Sequence, residues 1–145
     1  MVSNKCEYAL RAIFELTLQA GDEPRKVQDI ASAQEIPPRF LEIILVELRN
    51  GGLVVSKRGS NGGYALARDA QRITVGDVIR CVQGEQQVPL QSGLPGGRRT
   101  GDIAFASLWE RAQAAISDVY DKTTFADLLQ EEVAGGCVGM SDYVI

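Results

Sequence analysis

The chain has 145 residues, 45% hydrophobic and 23% charged, which suits one ordinary domain or a small domain plus an oligomerising arm. No apolar run approaches ~18 residues, so no membrane span is expected. The lack of histidine removes imidazole bases, Ser-His-Asp and Cys-His nucleophile pairs and His-dependent metal sites, so no enzyme is expected. A net charge of −4 and a pI of about 4.9 stand against the basic footprint of a nucleic-acid binder, but the charge is unevenly placed. Residues 25–68 hold seven Lys/Arg against four Asp/Glu, whereas residues beyond 86 hold four basic and eight acidic side chains.

Glu7 and Glu15 interrupt the apolar N-terminal stretch, unlike the h-region of a signal peptide, and the reading is a cytoplasmic chain. Cys6, Cys81 and Cys137 make neither an even disulfide framework nor a C-x-x-C site, which fits a reducing compartment. Residues 4–19 read as a helix with Cys6, Ala9, Leu10, Ile13, Leu16 and Thr17 at helical spacing. Gly21-Asp22-Glu23-Pro24 ends it. Arg25 and Lys26 lead into a short second helix with Val27, Ile30 and Ala31 inward, and Gln34-Glu35-Ile36 turns into a third. The second and third helices therefore form a helix-turn-helix pair.

Pro38 suits the opening turn of that third helix, because its ring presets φ and its missing N–H has no intrahelical partner there anyway. Phe40, Leu41, Ile44, Leu45 and Leu48 make a continuous apolar stripe, expected to be core. The opposite side carries Arg39, Glu42, Ile43, Val46 and Asn50, a mixed face that a DNA major groove accepts. Arg meets guanine edges, Glu accepts from cytosine N4, and apolar groups contact thymine methyls. An ordinary amphipathic helix with two stray exposed apolar residues is the plainer alternative.

A hairpin follows. Leu53-Val54-Val55 has strand character, Gly59-Ser60-Asn61-Gly62-Gly63 turns the chain, and Tyr64-Ala65-Leu66 resumes an extended run. Lys57 and Arg58 lie at the rim of this wing, where long cations reach phosphates or a narrow minor groove. A nucleotide-phosphate loop is set aside, since the GxxxxGK[ST] spacing is absent. Beyond a polar connection, Thr74-Val75-Gly76-Asp77 fits a capping box opening a helix with Val75, Val78, Ile79 and Val82, expected to pack under the wing.

Residues 84–101 have no usable period and read as a long loop. Residues 103–120 form the second strong element, with Phe105, Leu108, Trp109, Ala112, Ala115, Ile116 and Val119 repeating every three and four positions. So narrow a stripe, with alanines allowing close approach, suits a partner helix. Thr124 to Asp127 reads as a further capping box before a short helix with Phe125, Leu128 and Leu129, and the tail is expected to be poorly ordered.

Lys5 with Tyr8-Ala9-Leu10-Arg11-Ala12, Phe40-Leu41-Glu42, Gly52-Leu53-Val54 and above all the run RGSNGGYAL at residues 58–66 resemble the Rrf-two family of bacterial winged helix-turn-helix transcription regulators. The likeness extends through residues 73–84 and, more weakly, the helix around Trp109. It implies a mainly α fold with a small β-hairpin, a winged helix-turn-helix domain plus a long dimerisation helix. The divisions are residues 1–84 for the DNA-binding domain, 85–102 for a flexible loop, 103–134 for the dimerisation helix and a short C-terminal helix, and 135–145 for the tail.

The same likeness implies a transcription regulator, a repressor in the first instance, bound as a homodimer to a near-palindromic operator. Its DNA-binding residues are Lys5, Lys26, Pro38, Arg39, Glu42, Ile43, Val46, Lys57, Arg58, Asn61 and Tyr64. The dimer seam comprises Phe105, Leu108, Trp109, Ala112, Ile116 and Val119. Arg39 and Glu42 match positions at which family members touch bases, and Arg58 matches the wing arginine. Many members carry three loop cysteines that bind an iron-sulfur cluster; here those positions fall near Gln91, Gly97 and Ile103, none a thiolate. The expectation is therefore the cluster-free branch, with no metal or cofactor. A winged-helix protein-interaction module that does not read DNA is the competing reading, favoured slightly by the acidic total.

Overall fold

The computed structural model describes residues 2–19, 23–60, 62–84 and 99–144, with 137–144 described by backbone alone. Helix α1 (Asn4–Leu18) begins where the Ser3 hydroxyl accepts from the Cys6 amide at 3.2 Å, an N-cap that satisfies one of the free donors of the first turn. It is the hub of the fold. Cys6, Ala9, Ala12, Ile13 and Leu16 are buried on it, and helices α2 (Val27–Gln34), α3 (Pro38–Asn50), α4 (Val75–Gln83) and α6 (Phe125–Val144) all pack against it. Ala9 and Ala12 carry no bulk beyond Cβ, which lets these neighbours approach closely.

Strands β1 (Val54–Lys57) and β2 (Gly63–Leu66) pair antiparallel, with Val54 opposite Leu66 and Lys57 opposite Gly63. The expected Leu53 is not part of β1. It drops into the core, and its amide donates to Leu48 O at 3.0 Å, closing the end of α3 before the strand starts. A 3-10 turn, Ala70–Arg72, leads to α4.

Both capping boxes form. Thr74 Oγ1 accepts from the Asp77 amide at 3.1 Å and Asp77 Oδ2 accepts from the Thr74 amide at 3.0 Å; Thr124 and Asp127 make the same pair of bonds at 3.1 and 3.0 Å. The two boxes lie side by side through a bridge between Thr74 and Thr124, so the starts of α4 and α6 are joined. Burial alone would raise the Asp77 pKa, but hydrogen bonds from Thr74, the charge of Arg68 and a hydrogen bond from Arg80 outweigh it and hold the carboxyl below its usual range. Ion pairs run on from Arg68 to Asp77 (3.0 Å), Arg80 (3.2 Å) and Asp121 (2.7 Å), each exposed enough to contribute little individually.

Two expectations are corrected here. Helix α4 packs chiefly on α1, α3 and α5, not beneath the wing, because its buried Val78 and Ile79 are drawn into the main core. The helix opened at Thr124 was expected to be short, with a tail beyond residue 134, and α6 runs on to Val144. No proline interrupts it, and Gly135, Gly136 and Gly139 each cost only about 1 kcal/mol in a helix.

Helix α5 (Asp102–Lys122) differs from the others. It meets α4 along one side and has no buried residue, so most of its apolar stripe is uncovered in the single chain.

Candidate nucleic-acid interface

The angle of α3 is set by the turn before it. Glu35 adopts the left-handed conformation (φ 53°), Ile36 is buried and donates its amide to Ala31 O at 2.9 Å, and Pro37 and Pro38 fix φ over the entry. Leu41, Ile44, Leu45 and Leu48 then fill the core. Arg39, Glu42, Ile43, Val46 and Asn50 stand on the solvent side, as the spacing predicts, with Ile43 58% and Val46 38% exposed. Phe40 was expected in the core stripe and is 59% exposed. At about 100° per residue it lies roughly 90° from the centre of the four buried positions, on the flank.

The wing is fastened to the helical body by the main chain. Arg25 N donates to Tyr64 O and Tyr64 N to Arg25 O, both at 2.8 Å, so the segment before α2 acts as a third, single-residue strand beside β2. That approach is why Gly63 is glycine: its φ is 153°, and a Cβ there would lie 2.1 Å from Arg25 O. At the other end of the hairpin, a Cβ on Gly51 would lie 2.4 Å from Cys81 Sγ, whose thiol donates to Glu47 O at 3.5 Å.

Side chains reinforce the fastening. Arg25 is ion-paired with Glu15, a buried carboxylate on α1, and Glu15 also accepts from Gln34 Nε2 at 3.0 Å at the end of α2. Gln34 in turn accepts from Arg11 at 3.3 Å. Sequence reading missed this group. Its signal was Glu15 lying one position from Leu16 on the arc that buries Ala12, where a charge requires a partner.

The other expected DNA-binding residues are placed as follows. Lys5 is not free but paired with Glu47 at 2.7 Å, neutralising a carboxylate on the flank of α3. Lys26 is exposed just ahead of α2, Pro38 opens α3, and Lys57 and Arg58 are exposed at the end of β1 and in the hairpin loop. Tyr64 is half-buried against the core, and Asn61 lies outside the described residues. On α5, Phe105, Leu108, Trp109, Ala112, Ile116 and Val119 are all exposed, and the Phe105 and Trp109 rings stack at 6.4 Å.

Of the three positions compared with cluster-binding cysteines, Gln91 and Gly97 lie outside the described residues. Ile103, in the first turn of α5, offers only hydrocarbon and is 72% exposed. Burial and the Glu7 charge push the Cys6 thiol up to about 11, and burial and Glu47 raise Cys81. At the three compared positions the sequence offers an amide, a glycine and an isoleucine in place of thiolates, a donor set that does not fit a cluster.

A helix-turn-helix whose second helix exposes a mixed face, followed by a two-stranded wing, is the architecture of winged-helix DNA-binding domains. Residues 2–131 match the profile of Rrf2, described as an iron-dependent transcriptional regulator. The chain belongs to this family and is a DNA-binding transcription regulator. Rv1287 of Mycobacterium tuberculosis, provisionally named an HTH-type transcriptional regulator, is 40% identical over 138 residues, covering 94% of this chain and 83% of its own. The CymR regulator of Bacillus subtilis is 35% identical over 129 residues, 88% of each chain. The solved structure of B. subtilis CymR, called the global cysteine regulator, superposes with a TM-score of 0.78 over 90% of this chain and 97% of that one, at 34% identity. That of T. potens IscR gives 0.75 over 90% and 87%, at 35% identity. Among the described residues, no helix is long and apolar enough to cross a membrane.

Gly63→Ala is expected to push β2 off Arg25, lowering stability by about 1–3 kcal/mol. Hydrogen exchange should show the Arg25 and Tyr64 amides losing protection more than the Ile13 amide in the core. Unchanged exchange at both would mean that the bridge does not hold the wing.

Proposed function

We propose that this regulator binds a near-palindromic operator as a homodimer and represses from it, with α3 in the major groove and the wing at the adjacent backbone and minor groove. The observation carrying this reading is the pairing of an exposed, mixed α3 face with a cationic wing fastened to the same rigid body. Arg39 and Glu42 read base edges near the start of α3, where a recognition helix approaches most closely. Arg58 enters the minor groove. Lys57, Lys26 and the Lys5 region lie where phosphates pass, with Asn61 and Tyr64 completing the wing's share.

The uncovered apolar stripe of α5 supports the dimer. Two such helices would cover each other's Phe105, Leu108, Trp109, Ala112, Ile116 and Val119, and a two-fold axis sets the half-sites about one helical turn, roughly 34 Å, apart. The regulator works without an iron-sulfur cluster, on the strength of its donor set. It stands in this respect with the cluster-free branch of the family, its signal coming from another effector or a partner protein.

Selection from a random duplex pool supplies the site for two tests. Arg58→Ala is expected to weaken binding to selected and scrambled duplexes alike and to flatten the salt dependence by about one charge. Arg39→Ala is expected to weaken the selected duplex and relax its base preference. If both variants keep wild-type affinities and slopes, DNA is not bound through α3 and the wing, and a protein-interaction role replaces this one. Ile116→Asp places a charge in a desolvated seam and is expected to give monomer or insoluble protein by light scattering. A wild-type protein that is monomeric at micromolar concentration contradicts the dimer.

A further inference from the structure

The part of α3 that projects furthest from the core is a single stripe, Arg39, Ile43, Val46 and Asn50. At about 100° per residue these four lie within roughly 30° of the direction opposite Leu41, Ile44, Leu45 and Leu48. The middle of the stripe is hydrocarbon. Ile43 and Val46 have no hydrogen-bonding atom, yet Ile43 is 58% and Val46 38% exposed. An isoleucine and a valine at the crest of a helix are unfavourable in water and in helix propensity, and a buried surface elsewhere would be their ordinary place.

The surroundings of the pair narrow what covers it. Arg39 stands one turn before Ile43, Lys57 and Arg58 lie on the adjoining wing, and the Glu47 carboxylate on the flank is neutralised by Lys5 at 2.7 Å. Against these cations stands one exposed carboxylate, Glu42, so the surround is net positive, and hydrocarbon in such a surround suits a polyanion that itself presents apolar groups. In the major groove, the apolar group on a base edge is the C5 methyl of thymine.

We infer that Ile43 and Val46 are specificity residues that read thymine methyls at two neighbouring base pairs of each half-site, beside the pair read by Arg39 and Glu42. The spacing agrees: residues three apart on a helix hold their Cβ atoms about 5–6 Å apart and rise about 4.5 Å, close to the ~3.4 Å step between base pairs. The inference rests on the proposed placement of α3 in the major groove. It adds that part of each half-site is chosen by hydrocarbon contact and contains T·A pairs for that reason.

Replacing thymidine by deoxyuridine removes the methyl and leaves base pairing intact, so the test uses the full-length protein on its selected duplex. Thymidines in one half-site are replaced singly, and affinity is measured by fluorescence anisotropy for wild type, Ile43→Ala, Val46→Ala and Arg58→Ala. Two replacements are expected to weaken the wild type about fourfold each, the equivalent of one buried methyl group. Ile43→Ala should lose sensitivity to one replacement and Val46→Ala to the other, while Arg58→Ala, weaker on every duplex, keeps both. Selected half-sites without T·A pairs overturn the inference. So does wild-type affinity indifferent to deoxyuridine, or a sensitivity that Ile43→Ala and Val46→Ala both retain. In those cases Arg58→Ala still costs affinity if α3 and the wing bind DNA; an Arg58→Ala without effect, or a wild type that prefers no duplex, removes the proposed placement as well.

Discussion

Two backbone hydrogen bonds between Arg25 and Tyr64 make the wing part of the helical body, and the rest of the surface depends on them. A two-stranded hairpin is marginal by itself in water. Here a third strand-like residue extends it, and that residue's side chain is held by Glu15 on α1, which also holds Gln34 at the end of α2. Helix α3, the turn before it and the wing therefore share one anchor. Removing one partner from a buried, hydrogen-bonded charge leaves the others uncompensated, and so the anchor is cooperative.

The acidic total and the DNA-binding role are compatible because the charge is segregated along the chain. Lys26, Arg39, Lys57 and Arg58 belong to the helix-turn-helix and wing, while the excess of Asp and Glu lies on α5 and α6. Interactions between exposed charges fade over about 10 Å at ordinary salt, so the local cationic face matters more to a phosphate than the sum does. Lys5 neutralises Glu47 on the α3 flank.

Much of the fold was legible because periodicity and turn chemistry report local structure directly. Pro38, the two Thr/Asp capping boxes, the glycine-rich hairpin and the α5 stripe each specify an element from within a few residues. Phe40 was misread because its neighbours Leu41 and Ile44 extend the apolar pattern, and only the helix's angle against α1 shows it falling on the flank. Glu15 and the need for glycine at position 63 depend on Arg25, whose contacts lie 10 and 39 residues away in sequence, outside the reach of any local pattern. The length of α6 was underestimated for a different reason: a segment without apolar period still continues a helix when nothing breaks it. Of the candidate site, the α3 face and wing cations were readable as residue types, whereas the Lys5–Glu47 pair and the anchoring of the wing were not.

In the proposed complex α3 and the wing address different grooves of one duplex. Dimethyl sulfate interference measures this directly, because it methylates guanine N7 in the major groove and adenine N3 in the minor groove. On the selected operator, binding should be blocked by guanine modification within each half-site and by adenine modification where Arg58 enters, in a pattern related by two-fold symmetry. Interference confined to one groove, or none in either, would contradict it.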